Sequence, residues 1–201
     1  MNLSKHRQFL FSLLLFLSIK SYSQKISCAE KWWALKHFCK AKKALKISEQ
    51  VQQFTAEVLK DSILIGSGNG LQVDAFRHTY WMAVLTQNIG AKRAYRLGKA
   101  HERGAYRAYK KNRKEDGTVP DKISSTMDLY NNNIGIEIGK TYQGSDLKQA
   151  VINDVKQGKC KIMKVDANGN YLDENNKIIP LETLIGTWKN NKVLVNSNYK
   201  Q

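Results

Sequence analysis

The segment at residues 73–88 constrains the fold most, because it is apolar around almost its whole circumference when drawn as a helix. A helix of that kind is stable only when other elements surround it. Yet its first part, VDAFRHTYW (73–81), also carries Asp74, Arg77 and His78. Burying these ionisable groups without partners would be strongly unfavourable, so polar groups from other elements must meet them. The sequence predicts a multi-helix domain with a polar cluster inside it.

Helical periodicity extends through residues 29–155 and supports this prediction. The first helix is expected in AEKWWALKHFCKAKKAL, with Trp32, Leu35 and Cys39 or Phe38 as its apolar stripe, and Ser48 is expected to cap the second. Three further helices follow the apolar segment, at 90–114, 125–142 and 145–158. Gly117 and Pro120 are expected to separate the first two of these.

The last part of the chain changes character. CKIMKV (160–165) and KIIPL (177–181) flank the turn-rich DANGNYLDENN (166–176), a pattern typical of a hairpin, and KVLVN (192–196) is a candidate for a further strand. The predicted fold class is therefore mainly α, a compact multi-helix domain with a small C-terminal β-hairpin appendage. We expect a helical domain at 25–158 that carries the polar site, and a β-hairpin or strand extension at 159–201.

The N-terminal residues 1–24 are typical of a cleavable signal peptide. Lys5 and Arg7 precede an apolar run at 9–19 that is short for a membrane span, and the small, polar SYSQ follows it. We expect the protein to be exported, to the periplasm or beyond, without a transmembrane anchor. Three cysteines in an oxidising compartment allow one disulfide, and pairing of Cys160 with Cys28 or Cys39 is expected.

The charge balance indicates anionic partners. Removing Lys5, Arg7 and Lys20 with the signal peptide lowers the formal net charge from +16 to +13. Such a surface attracts polyanions, nucleic acid or phospholipid among them. Cations recur at steps of three and four along residues 92–110, where they form a basic stripe: Lys92, Arg96, Lys99, Arg103, Arg107 and Lys110. The stripe is expected to be a solvated face, directed away from His101 on the same helix.

Three helices each bring a short polar set to the predicted interior. The sets are Asp74, Arg77 and His78; His101 and Glu102; and Asp128, Asn131 and Asn132. Imidazoles and carboxylates on facing helices suit a divalent metal, with zinc or manganese as candidates. The predicted metal ligands are His78, His101, Glu102 and Asp128.

The other polar residues receive catalytic roles. Asp74 would be a fifth ligand or the general base, and Arg77 would hold a phosphate or pair with Asp74. Asn131 and Asn132 would orient ligands or substrate. Gly135 and Gly139 share a face with Asp128 and would let another helix approach closely.

The blocks DAFRH, AHE and MDLYNN resemble an uncharacterised bacterial family of exported helical domains with DAFRH, AHE and MDLxNN motifs. The resemblance covers about residues 65–140 and implies a shared site without naming a reaction. The order His78, His101-Glu102 and Asp128 is also similar to the ligand order of HD-domain phosphohydrolases, although Glu102 stands where that family has an aspartate.

Two functions follow from these observations. The first is a secreted metal-dependent hydrolase acting on phosphoesters, either nucleic acid or phospholipid. The second is a non-enzymatic exported basic domain that binds nucleic acid or anionic envelope lipid, and whose buried polar network is structural. The two differ in whether His101→Ala removes a metal and an activity or only lowers stability.

Overall fold

The computed structural model describes residues 26–66, 69–114 and 119–200. The expected signal peptide, Gly117 and part of the glycine-rich segment before residue 70 lie outside these ranges. The elements in chain order are α1 Cys28–Lys36, α2 Phe38–Lys60, α3 Gln72–Ile89, α4 Ala91–Lys110, α5 Lys122–Thr141, α6 Leu147–Lys156, β1 Lys161–Met163, α7 Leu181–Leu184 and β2 Leu194–Asn196. The protein is mainly α with a small antiparallel sheet near its C-terminus, which confirms the predicted fold class. Across the described ranges, no helix combines the length and apolarity needed to cross a membrane.

Helix α3 lies at the centre of the fold. The side chains of Val73, Phe76, Met82 and Leu85 have no exposed surface. Helices α2, α4, α5 and α6 all pack against α3. The apolar circumference of this segment is therefore covered on every side, as the sequence predicted.

Helix α5 approaches α3 closely through the small-residue face that the sequence indicated. A Cβ on Gly135 would lie inside van der Waals contact with the main-chain oxygen of Thr79, and one on Gly139 would lie 2.6 Å from that of Ala83. Both positions therefore require glycine for this helix spacing. The spacing places Asp128 and Asn132 of α5 against the side of α3 that carries His78.

The N-terminal helices differ from the prediction in two ways. The first helix ends at Lys36 and a new one begins at Phe38, so the break falls at His37 rather than near Ser48. Ser48 lies inside α2, where its hydroxyl donates to the Ala44 carbonyl and accepts from the Trp81 indole N–H. The hydroxyl is used for helix packing, which explains why a residue that favours helix caps is tolerated there.

The inward face of α1 is carried by Trp33, whereas Trp32 of the predicted stripe is 64% exposed. The Trp33 indole N–H donates to the Arg93 carbonyl at 3.2 Å, and its ring stacks on His37. The long-range hydrogen bond to Arg93 fixes which face of α1 is buried, and the expected apolar stripe faces solvent.

The C-terminal segment packs onto the helices. Strands β1 and β2 pair antiparallel, with Ile162 opposite Val195, so CKIMKV pairs with KVLVN rather than with KIIPL. The turn-rich segment between them forms isolated bridges, Val165 with Tyr171 and Leu172 with Ile178. Asn131 of α5 binds the Lys161 main chain from both ends of its amide, donating at 2.9 Å and accepting at 2.8 Å.

The expected disulfide is absent. Cys28, Cys39 and Cys160 are all free, and Cys160 is buried while the other two are exposed. Burial raises the pKa of the Cys160 thiol to about 11, although its hydrogen bond with the Thr79 hydroxyl opposes the shift. Cys160 is therefore a protonated core residue, and the pairing inferred from the compartment is wrong because the fold keeps this thiol inside.

Candidate metal centre and cavity

His78 lies at the centre of the polar cluster, on the α3 face that meets α5. Only 3% of its side chain is exposed. Its Nδ1 lies 3.3 Å from Asn132 Oδ1. Its Nε2 lies 3.5 Å from Asp74 Oδ1 and 3.4 Å from Asp128 Oδ1. Among the described residues no group is in hydrogen-bonding geometry with this Nε2 atom.

The contact with Asn132 determines which ring nitrogen carries the proton. An amide oxygen only accepts hydrogen bonds, so the imidazole N–H that meets it is at Nδ1. Nε2 then presents a lone pair to two carboxylate oxygens. Burial and the charge of Arg77 lower the pKa of His78 to about 3, so the ring is neutral at neutral pH. A lone pair facing two carboxylates is repulsive unless a cation lies between them.

Asp74 is held firmly in its ionised form. Burial alone would raise its pKa, but the charge of Arg77 and a hydrogen bond from the Gly70 main-chain N–H hold the pKa below its ordinary value. Gly70 N–H donates to Oδ2 at 2.7 Å, while Arg77 donates to Oδ1 from Nη2 at 2.5 Å and from Nε at 3.2 Å. The expected pairing of Arg77 with Asp74 is present, and Oδ1 is the oxygen that also faces His78.

Three predicted residues meet closely enough to share one ion. Ligand atoms of Asp74, His78 and Asp128 all lie within 4.8 Å of one another, and this largely buried group could hold a metal ion. In the described part of the chain no other group of acidic, histidine or cysteine side chains forms such a cluster. The coarser part of the cofactor prediction is therefore supported: a buried group of carboxylate and imidazole side chains could hold a metal ion, and nothing in the group identifies the metal.

His101 lies beside this cluster, with its ring centroid 6.1 Å from that of His78. Its Nδ1 lies 3.1 Å from Glu30 Oε1, and the edge of Trp81 packs against its ring at 5.6 Å. Burial is the largest single effect and raises the pKa of Glu30, but the hydrogen bond and charge of His101 and the hydrogen bonds with Ser27 together hold the pKa below its ordinary value. Glu30 therefore holds His101 as an ionised partner, in a pair separate from the Asp74–His78–Asp128 group.

Glu30 was missed by the sequence analysis, although a signal for it exists. Ser27 and Glu30 have the spacing of a capping box, and in the structure each side chain binds the other's main-chain N–H. A cap fixes the first turn of α1 and thereby the direction of the Glu30 side chain. That this direction leads to His101 depends on how α1 packs on α4.

Two other predicted residues occupy different surroundings. Glu102 is buried on α4 and does not belong to the three-residue group. Asn131 is fully buried and binds β1 through the Lys161 main chain, so the structure uses it to attach the C-terminal segment. Asn132 is the asparagine that reaches His78.

A cavity of about 250 Å³ opens against the cluster, between α1, α2, α3 and α4. Arg77, His78, His101 and Glu30 line its polar end. Most of its remaining wall is apolar and includes Trp33, Ala44, Val51, Trp81 and Leu97. A concave, mostly apolar site with a few convergent polar groups is the usual form of a small-molecule site.

A family described as a domain of unknown function, DUF6973, matches residues 31–161. The match covers most of the chain and contains the three polar sets, so the chain belongs to this family. No curated protein and no solved structure matches it. Membership in an uncharacterised family is confirmed, and the likeness to HD-domain phosphohydrolases stays a prediction.

Proposed function

We propose that this member of the DUF6973 family is an exported metal-dependent hydrolase of phosphoesters, with Asp74, His78 and Asp128 as the ligands of a divalent cation. The observation that carries the proposal is the position of His78 Nε2, which lies 3.5 Å and 3.4 Å from the two carboxylate oxygens without a hydrogen bond. Export rests on residues 1–24, whose sequence is typical of a signal peptide.

The separations of these atoms suit a shared ion. Two ligands bound at about 2.1 Å in a tetrahedral arrangement lie about 3.4 Å apart. The bond between His78 Nδ1 and the Asn132 oxygen has the form that usually orients a metal-binding histidine, in which the other ring N–H meets an oxygen. One imidazole nitrogen with two carboxylate oxygens suits zinc or manganese.

The other residues of the cavity supply the remaining chemistry. A divalent cation held by these ligands would polarise a phosphoryl oxygen and lower the pKa of a bound water. Arg77 orients Asp74 and lines the cavity, where a guanidinium favours a phosphate group. His101, oriented by Glu30, lies where it can pass a proton to a leaving group, the arrangement by which a carboxylate holds a catalytic histidine. In this proposal His101 is an acid–base group rather than a ligand.

The first test is the metal content of the protein, purified without chelator or metal-affinity resin. Asp128→Asn removes one ligand charge, and Asp61→Asn is the matched control because Asp61 is an exposed carboxylate outside the site. We expect near-stoichiometric zinc or manganese in the wild type and in Asp61→Asn, and little in Asp128→Asn. Hydrolysis of bis(4-nitrophenyl) phosphate should follow the same pattern.

Two results would count against the proposal. A wild-type protein that takes up neither metal when both are supplied would show that the cluster only joins α3 to α5. A metal-loaded protein without phosphoesterase activity would leave the metal site but refute the hydrolase.

A second candidate function rests on the basic stripe defined above. All six of its cations are exposed along α4. Beside it Tyr106 and Tyr109 stack on each other, Trp188 packs against both rings at an angle, and Lys110 lies over the Tyr106 ring. Such a surface favours binding of nucleic acid through phosphate contacts and base stacking. Affinity that falls steeply with salt and with Arg103→Ala, but not with Asp128→Asn, would identify this function.

A further inference from the structure

The cavity at the metal centre has walls that suit a hydrocarbon chain better than a nucleotide. Apart from its polar end, its wall is built largely from aromatic and aliphatic side chains. The hydroxyl of Ser48, one of the polar wall groups, is already engaged with Ala44 and Trp81. Glu49, another wall residue, carries a negative charge and would repel the phosphates of a nucleic acid.

The size of the cavity also suits a chain. Apolar cavities of about 150 Å³ hold a ligand as large as benzene. The volume here is about 250 Å³, and it is continuous with the polar end formed by Arg77, His78 and His101. A phosphoester with an apolar tail would place its head at the metal centre and its tail along Trp33 and Leu97.

Two of the side chains that line the cavity are large, apolar and exposed. Ile26 and Leu45 line the cavity and are 47% and 46% exposed. Trp32 and Leu35 of α1 and Phe38 of α2 are also exposed, at 64%, 68% and 78%. Several large exposed apolar side chains within one short stretch of chain, residues 26–45, are typical of an interaction surface. We call these five residues the apolar rim.

Cations lie among the residues of the apolar rim. Exposed lysines alternate with its side chains along α1 and α2: Lys31, Lys36, Lys42, Lys43 and Lys46. Tryptophan, phenylalanine and leucine next to lysines are typical of helices that lie in a membrane interface. The lysines complement the negative charge of anionic headgroups.

We propose that the substrate is an anionic phospholipid, taken from a membrane surface on which the apolar rim docks, with its acyl chain in the cavity and its phosphoester at the metal centre. The proposal rests on the hydrolase function proposed above. It selects lipid over nucleic acid as the substrate class. It also assigns a role to the exposed face of α1, which the sequence pattern predicted to be buried.

The first experiment measures binding of alkyl phosphates, from hexyl to hexadecyl, to the metal-free protein by calorimetry. Each added methylene should tighten binding about fourfold until the cavity is filled, after which affinity should level off. Ala41→Leu fills part of the cavity and should weaken binding of decyl phosphate by about tenfold or more. Ala29→Leu is the matched control, since Ala29 is partly buried but does not line the cavity.

An affinity that equals that of inorganic phosphate at every chain length would overturn the proposal. So would binding that single-stranded DNA displaces, because the site would then recognise phosphate alone.

The second experiment tests the apolar rim by vesicle flotation, with protein purified from an exporting host and its N-terminus sequenced. The wild type should float with phosphatidylglycerol vesicles and much less with phosphatidylcholine vesicles. Trp32→Ser with Phe38→Ser should abolish flotation. Leu181→Ser with Ile185→Ser is the control, because these two apolar side chains, at 64% and 68%, are comparably exposed but lie outside α1 and α2. Equal flotation of all variants, or none for the wild type, would refute docking through α1 and α2.

Failure of this proposal and failure of the hydrolase are distinguishable, because alkyl phosphate binding is measured without metal. Chain-length-dependent binding without hydrolysis of bis(4-nitrophenyl) phosphate would keep the lipid site and refute the hydrolase. Hydrolysis of that compound without any chain-length dependence would keep the hydrolase and refute the lipid site.

Discussion

The contact between α3 and α5 allows a quantitative test at Gly135. A methyl group there would overlap the Thr79 main-chain oxygen and lie 2.9 Å from Met82 Cβ. Neither atom can turn away by a side-chain rotation, so the two helices must separate. Overpacking of this kind costs about 3 kcal/mol at the upper end of its usual range. Replacing glycine inside a helix returns about 1 kcal/mol, which leaves a net cost of about 2 kcal/mol for Gly135→Ala.

Gly98→Ala is the matched control, because it makes the same chemical change inside α4. Its Cβ would meet Asn132 Nδ2 at 3.1 Å and Met82 Cε at 3.3 Å, both at the ends of side chains that can shift. The gain in helix propensity should then keep this variant within about 1 kcal/mol of the wild type.

Urea denaturation with thermal unfolding is the appropriate assay for this pair. For a chain of this size, a loss of about 2 kcal/mol corresponds to a melting temperature roughly 4–8 °C lower. Gly135→Ala should also weaken metal uptake, because His78 and Asp128 lie on the two helices that are forced apart. A Gly135→Ala protein as stable as the wild type would refute the argument that this glycine sets the helix spacing.

Three further outcomes are expected. Burial is the largest single effect and raises the pKa of Asp121, but the charge and hydrogen bond of Lys192, with the hydrogen bonds from Ser124 and Asn190, together hold the pKa below its ordinary value. The stabilisation from Asp121 is therefore present above about pH 4 and lost as pH falls through the lowered pKa. Asp121→Asn should cost about 1–3 kcal/mol in denaturation at pH 7 and progressively less below pH 4. Asn131→Ala should lower the free energy of unfolding by roughly 2–3 kcal/mol, because it removes both hydrogen bonds to β1, yet it should leave the metal content unchanged. Loss of metal from this variant would show that Asn131 belongs to the metal site. Cys160 should resist a thiol reagent at pH 8 in the native state while the two exposed cysteines react, and rapid labelling of all three would contradict its burial.

Part of the site was predictable because its residues lie on one short helical segment. Asp74 and His78 are one turn apart on α3, and helical geometry alone brings such side chains to the same face. The small-residue face of α5 likewise predicted that another helix packs closely against it, and Asp128 lies on that same face. The pairing of His101 with Glu30 was not predictable, because Glu30 is far away in sequence and its direction depends on the packing of α1.

Local pattern failed where two interpretations were equally consistent with it. Trp32 and Trp33 are neighbours with the same apolar character, yet Trp33 is the buried one, packed in the main core with its indole N–H donating to the Arg93 carbonyl. Asn131 and Asn132 are neighbours with the same amide chemistry. One binds β1 and the other His78, since adjacent positions on a helix point about 100° apart.

The sequence by itself determined a mainly α protein with one buried helix and a polar cluster that needed partners. It did so because apolar periodicity and the unfavourable burial of charge are local properties, readable along one segment. Tertiary structure decided which residues of other helices contact these polar groups. The packing of the helices brings Asp74, His78 and Asp128 together, pairs His101 with Glu30, and leaves an apolar cavity beside them. These contacts were not predictable, because the direction of a side chain across an interface depends on the spacing and rotation of the helices rather than on its neighbours in sequence.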